Sequence, residues 1–182
     1  KATWTEARTI HTDGISAEHG FVSMLPLNDG TTLISWLDGR ETVHSEPPGA
    51  MTLRAGIFDK SGANVSEWEL DHRVCDCCQT SSAMTENGPI IVYRDRSQQE
   101  VRDIYATRLV DGAWTLPQAI HNDNWQIAGC PVNGPSVAAV NKRVAVAWFN
   151  AKDDVPKIQL VLSTDSGLSF SEPIVVESPN TN

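Results

Sequence analysis

The sequence is poor in basic residues and contains no long apolar run, and each absence excludes a class of partner. Only 14 lysines and arginines stand against 23 acidic residues, which gives a formal net charge of −9 at pH 7. A field of that sign repels the phosphates of nucleic acids, so we expect no nucleic acid as a partner. Because no stretch of about 18 consecutive apolar residues occurs, we also expect no helical membrane span.

Sustained helical periodicity is missing as well, and short apolar runs take its place. Each run is rich in β-branched and aromatic residues, ends in a polar residue and is too short for a typical helix, which predicts a buried strand. The runs are Thr32–Asp38, Pro89–Asp95 and Arg143–Asn150. Asp-Gly and Ser-Gly pairs further along each unit predict tight hairpins between strands.

Two segments of the chain resemble each other in register. Trp4–Asp13 and Trp114–Asp123 share Trp-Thr, Ile-His and Asp at equivalent positions. With room for one further unit between them, this repeat indicates a period of roughly 55 residues. Four short strands in each period predict the blades of a β-propeller, and a β-sandwich is the alternative because it also contains regular short strands.

The predicted fold is therefore all-β: a β-propeller fragment of about three four-stranded antiparallel blades plus one additional outer strand. We place the outer strand in residues 1–12 and the blades in residues 20–72, 78–121 and 130–178 of a single domain covering residues 1–182. Propellers typically have about four to eight blades. We therefore expect the remaining half of a longer propeller, or a second copy, to close the ring.

One hairpin resembles a known repeat motif, and longer phrases resemble a known family. Ser163–Phe170 is similar to the Asp-box of the sialidase superfamily, Ser-x-Asp-x-Gly-x-x-aromatic. Five further phrases resemble secreted bacterial six-bladed propellers of the exo-α-sialidase-like group: Glu18–Ser23, Trp36–Arg40, Arg73–Thr80, Tyr93–Arg96 and Gly129–Pro135. The resemblance implies a secreted or periplasmic protein that binds a glycan or acidic sugar at the mouth of the central channel.

The resemblance also implies residues for sialidase chemistry, which binds a sugar carboxylate with arginines and uses an aspartic acid as general acid. Arginine suits a carboxylate because its planar fork makes two parallel charge-assisted hydrogen bonds. Arg40 and Arg94 follow buried strands in adjacent units and are the candidates for this grip. Asp38 or Asp95 is the candidate acid. The alternative is that these pairs are solvated turn charges or salt bridges between blades.

The nucleophile of a sialidase does not map onto the sequence. Only two tyrosines are present, Tyr93 and Tyr105, and neither has an identifiable partner glutamate. Tyr93 lies within a predicted buried strand, where an aromatic residue is more often part of the core. A non-catalytic propeller that binds glycan or protein is therefore the alternative function.

Four cysteines suggest a further site. Cys78 and Cys130 each directly precede a predicted first strand, so we expect both at one mouth of the channel, near His19. An even number of cysteines favours disulfides, with Cys130 paired to Cys78 or Cys75. The alternative is a zinc or copper site formed by His19, Cys130 and one or more of Cys75, Cys77 and Cys78.

Two histidines belong to the internal repeat. His11 and His121 occupy equivalent positions, each two residues before an aspartate, Asp13 and Asp123. This equivalence indicates a structural role at the ends of blades, through side-chain bonds to a neighbouring loop, rather than a ligand role.

Overall fold

The computed structural model describes residues 3–4, 6–44 and 46–178, and its regular structure is almost entirely β. The first sheet contains four antiparallel strands in sequence order. They are β1 (His19–Pro26), β2 (Thr32–Asp38), β3 (Thr52–Phe58) and β4 (Asn64–Asp71), with a short helix α1 (Arg40–His44) after β2.

The second and third sheets repeat this pattern. The second contains β5 (Ser81–Thr85), β6 (Gly88–Arg94), β7 (Ile104–Val110) and β8 (Ala113–Trp114), and β9 (Gln118–Ala119) also pairs with β7. The third contains β10 (Ser136–Val140), β11 (Arg143–Asn150), β12 (Lys157–Ser163) and β13 (Ile174–Glu177), with a 3₁₀ turn at Lys152–Asp154. The predicted buried strands Thr32–Asp38 and Arg143–Asn150 have the bounds that the sequence indicates.

The three sheets are arranged radially, with their first strands adjacent. Ser23 on β1 donates to the hydroxyl of Ser82 on β5 over 3.2 Å, and the backbone N–H of Val137 on β10 donates to Ser81 Oγ over 3.2 Å. Apolar side chains fill the space between neighbouring sheets: β2 and β6 are buried on both faces, whereas β11 is fully buried only on the face toward the second sheet. The chain is thus a β-propeller fragment of three antiparallel blades, as predicted.

Most of the apolar core lies in the two interfaces between neighbouring sheets, and a smaller cluster of Ile34, Trp36 and Phe58 lies on the first sheet under Ile10. Between the first and second sheets, Leu33, Leu53 and Ile91 are among the buried side chains that form one cluster. Between the second and third sheets, Val92 and Val146 belong to a second cluster. This alternation of sheet, core and sheet differs from a sandwich, in which two sheets would share one core.

The additional outer strand predicted in residues 1–12 is not formed in the described part of that segment, residues 3–4 and 6–12. Trp4 is fully exposed, while Ile10 packs against Trp36 and its neighbours on the first sheet. Arg8 donates to the carbonyl of Ser61 over 2.9 Å. A strand forms only by pairing with the edge of a sheet. Among the described residues, no sheet precedes β1, so this segment has no earlier sheet with which to pair.

The hairpin that resembles an Asp-box has the hydrogen bonds that its sequence predicts. Asp165 Oδ1 accepts the backbone N–H of Ser169 over 3.0 Å, and the Ser169 hydroxyl binds Oδ2 over 2.5 Å. These bonds lower the pKa of Asp165 to about 2. Gly167 has φ +79°, and a Cβ there would lie 2.6 Å from Ile90 Cδ1, so the turn requires glycine.

No helix in the described residues is both long enough and apolar enough to cross a membrane.

Candidate functional site

The candidate residues collect at one end of the three sheets. Asp38 and Arg94 end the second strands of the first two sheets, and His19 begins β1 directly opposite Asp38. The cysteine-containing loops lead into β5 and β10 at the same end. Three groups result, which we call the Arg40 cluster, the cysteine cluster and the acidic cavity.

The charged side chains of the Arg40 cluster (Asp13, His19, Asp38, Arg40 and Glu67) are paired with one another. Arg40 donates to both oxygens of Asp38 over 2.8 and 2.7 Å and lies 3.0 Å from Asp13 Oδ2 and 3.3 Å from Glu67 Oε1. Burial raises the pKa of Asp38, but hydrogen bonds from Arg40 and from Trp36 Nε1 outweigh it and hold the pKa at about 2.

The Arg40 cluster therefore does not suit the two roles that the resemblance implies. Asp38 is ionised at neutral pH, so it has no proton to give as a general acid. The guanidinium of Arg40 is shared among three carboxylates, which leaves it a weak partner for a fourth. Its partners belong to the first sheet and to the segment before it, so this is a salt-bridge network within one unit rather than the solvated turn charges or salt bridges between blades of the alternative prediction.

His19 belongs to the Arg40 cluster and is not brought to the cysteines. Its Nε2 lies 3.0 Å from Asp13 Oδ2 and 3.5 Å from Asp38 Oδ2. The imidazole rings of His11 and His19 stack with their centroids 3.6 Å apart. His11, Asp13 and His19 are close enough to share a metal ion, but the Arg40 guanidinium already occupies the Asp13 carboxylate, and its charge opposes a cation there.

The repeat is visible in these contacts. His121 Nε2 lies 3.6 Å from Asp123 Oδ1, and His11 Nδ1 lies 3.5 Å from Asp13 Oδ1. Asp123 Oδ2 accepts the indole N–H of Trp148 in the following sheet over 2.7 Å. Both aspartates thus tie a loop to the blade that follows it, which is the structural role that the repeat predicts.

Arg94 is buried between the second and third sheets, with 2% of its surface exposed. Its Nε, Nη1 and Nη2 donate to the backbone carbonyls of Asn133, Arg102 and Phe149 over 3.0, 2.6 and 2.8 Å. The guanidinium also lies over the ring of Trp125, 5.2 Å from its centroid. The side chain therefore joins two blades and does not point toward a substrate carboxylate.

The cysteine cluster contains one disulfide and two thiols. Cys77 and Cys130 are bonded, with their Cα atoms 6.3 Å apart, which confirms the prediction of a disulfide between blades. The predicted partner was wrong, since Cys75 and Cys78 are buried beneath the loop while Cys77 faces the loop of Cys130. A disulfide is typical of proteins in oxidising compartments.

The two thiols interact with each other and with an arginine. Cys75 Sγ and Cys78 Sγ are 3.0 Å apart, and Arg102 Nη1 donates to Cys75 Sγ over 3.2 Å. The hydrogen bond with Cys78, with help from Arg102, outweighs burial and lowers the pKa of Cys75 to about 6. The same pairing raises the pKa of Cys78.

The acidic cavity opens between the outer strand of the first sheet and the second sheet. Its volume is about 570 Å³, and its lining residues are Glu69, Leu70, Asp71, His72, Asp95, Tyr105, Leu116 and Pro117. Three of these are carboxylates, and none of the described residues that line it is lysine or arginine. It lies beside the third and fourth strands, away from the first strands that were expected to line a central channel.

Asp95, a predicted site residue, lies in this cavity. Burial raises its pKa to about 7, and the nearby charge of Asp71 adds to the effect. Tyr93 donates its hydroxyl to Asp71 Oδ2 over 2.5 Å, so the tyrosine of one blade orients the carboxylate of another. Asp71 was not among the residues predicted from the sequence, although it ends β4 as Asp38 and Arg94 end their strands.

A scan against models of known protein families finds no match for the chain, and a search of curated proteins finds no match either. The likeness to sialidase-like proteins therefore rests on the Asp-box hairpin and on the phrases quoted from the sequence.

Proposed function

We propose that the protein is a secreted, sialidase-like propeller that binds carbohydrate in the acidic cavity and hydrolyses a glycosidic bond there. The observation that carries the proposal is the meeting of Asp95 and Asp71 in one open cavity, with Asp95 held partly protonated near neutral pH. Glycoside hydrolysis commonly uses two carboxyl groups of this kind, one protonated and one ionised.

The two carboxyl groups have separate roles in this proposal. Asp95, whose pKa is about 7, donates a proton to the leaving oxygen of the glycosidic bond. Asp71 stabilises the positive charge that develops on the sugar ring, and Tyr93 fixes its position through the hydrogen bond from its hydroxyl. The ring of Tyr105 and the apolar surface of Leu116 and Pro117 give the sugar faces to pack against.

The charge of the cavity favours a neutral sugar over an acidic one. Asp71 would repel a carboxylated sugar, and no arginine lines the cavity to bind its carboxylate; Arg54, the arginine beside it, is paired with Glu69 over 2.8 Å. Arg40 and Arg94, the predicted partners of that carboxylate, make their contacts elsewhere. We therefore propose a neutral glycan as the substrate class.

The test is hydrolysis of a panel of neutral aryl glycosides and sialosides, with Asp95→Asn as the variant. We expect turnover of a neutral glycoside that falls as the pH rises through about 7, because Asp95 then loses the proton it must donate. The variant should lose about 10²–10⁴-fold in kcat while still binding the sugar. Asp111→Asn, in an exposed turn, is the matched control and should retain full activity.

Three outcomes would count against parts of this proposal. Preferential turnover of sialosides would refute the neutral substrate. Glycan binding without any turnover would refute hydrolysis and favour the non-catalytic binding propeller. Equal activity of the Asp95→Asn variant and the original protein would refute the role of Asp95.

A further inference from the structure

Cys75 and Cys78 form a pair of buried thiols that the carbohydrate proposal does not use. Their sulfur atoms are 3.0 Å apart, and the two residues are 0% and 1% exposed. Cys77, which closes the disulfide above them, has its sulfur 3.9 Å from that of Cys75. Two thiols that are held together in this way are a preformed set of soft metal ligands.

Positive charge surrounds the pair. Arg102 Nη1 lies 3.2 Å from Cys75 Sγ, and Arg102 is itself 4% exposed. Arg94 lies beside Cys78 and is also buried. Only one of these two guanidinium groups has a carboxylate at contact distance among the described residues: Arg102 Nη2 is 2.7 Å from Glu100 Oε2. Asp103 and Asp123 also act on Arg94, but from beyond contact distance, whereas Cys78 is in contact with it, so a charged thiol pair would balance that guanidinium at close range.

We propose that Cys75 and Cys78 bind one Cu(I) ion as two thiolates. Thiolates are soft ligands that suit Cu(I), and a Cu(I) ion with two thiolates carries a net charge of −1, which balances the guanidinium of Arg94. On binding, the two thiol protons leave for solvent and two Cu–S bonds form, with no change in oxidation state. The loop from Cys75 to Cys78 is a turn rather than a strand, so the sulfurs can separate to admit the ion.

Zinc fits the same residues less well. Structural zinc is almost always four-coordinate, and the other two cysteines of the chain are joined in a disulfide. A zinc ion with two thiolates would also be neutral and would leave the guanidinium unbalanced. His19, which the sequence placed in such a site, is bound to the carboxylates of the Arg40 cluster.

The first test counts thiols and copper in protein purified without reductant. We expect two free thiols per chain under denaturing conditions. In the absence of oxygen, the native protein should keep one equivalent of Cu(I) bound when a chromogenic Cu(I) chelator competes for the ion. Cys75→Ser and Cys78→Ser should each lose the retained copper. The matched control is the double variant Cys77→Ser with Cys130→Ser, which removes the disulfide, keeps the pair and should retain one equivalent.

A count of zero free thiols would overturn the proposal, because it would mean that Cys75 and Cys78 are joined in a second disulfide. Retention of copper by the two single serine variants would overturn it as well.

A second test does not depend on whether the serine variants fold. X-ray absorption at the copper edge of the original protein should show sulfur ligands only, and nitrogen ligands would overturn the proposal by pointing to His11 and His19. Arg102→Met tests separately the support that Arg102 gives to Cys75 Sγ through its hydrogen bond: it should weaken Cu(I) binding about 10–100-fold, the usual cost of losing a residue that supports metal ligands. An unchanged affinity would contradict that role of Arg102.

Discussion

The Arg94→Met variant distinguishes between two roles of Arg94. The structure shows Arg94 joining two blades, whereas the resemblance implies that it binds the carboxylate of a sugar. Arg94 donates to three buried backbone carbonyls, and each carbonyl left without its donor costs about 1–3 kcal/mol. Removing the buried charge itself recovers part of that cost. We therefore expect Arg94→Met to lower the free energy of unfolding by about 4 kcal/mol.

Urea unfolding followed by circular dichroism measures this change directly. With an m-value of about 2 kcal/mol/M, the midpoint should fall by about 2 M. Arg143→Met, at an exposed position on the third sheet, is the matched control and should shift the midpoint by less than about 0.3 M, since surface substitutions usually change stability by under about 0.5 kcal/mol. A stable Arg94→Met variant that had lost binding of an acidic sugar would refute the reasoning and restore the carboxylate-binding role.

Two further predictions concern stability. Ionised Asp38 should contribute about 2 kcal/mol to the free energy of unfolding, because Arg40 and Trp36 lower its pKa only in the folded protein. This contribution is fully present above the ordinary pKa of 3.8 and is lost as the pH falls from 3.8 through about 2. Urea midpoints measured down this range should fall less steeply for Asp38→Asn, and an equal slope would contradict the assignment. Replacing Cys77 and Cys130 by alanine should lower the free energy of unfolding by about 4 kcal/mol, since the bond spans 53 residues. A thermal midpoint that is insensitive to this replacement would contradict it.

The radial arrangement of sheets could be predicted from the sequence, because the patterns that indicate its strands and turns are local and recur in each unit. The buried strands β2 and β11 begin and end where the apolar runs do. The turn at Asp165 forms because its own neighbours supply the hydrogen bonds. The segment before residue 13 differs, since pairing depends on a neighbouring sheet that no local pattern encodes.

The site was less accessible to sequence reasoning, because its contacts join different blades. Four cysteines permit three pairings, and whether Cys77 or Cys78 faces Cys130 depends on how one turn is oriented. Asp71 acquires its partner only when Tyr93 of the next sheet reaches it. The position of Arg94 at the end of a buried strand is visible in the sequence, but its burial against the third sheet is a property of the assembled blades.

Different kinds of bond hold the two interfaces between neighbouring blades. The Cys77–Cys130 disulfide and two hydrogen bonds from Arg94, to the carbonyls of Asn133 and Phe149, join the second and third blades. Near the acidic cavity, the first and second blades meet through non-covalent contacts, among them the hydrogen bond between Tyr93 and Asp71 and the backbone bridge between Val74 and Asp95. The acidic cavity thus lies at the interface that has no covalent link among the described residues, whereas the disulfide joins the two blades on the other side.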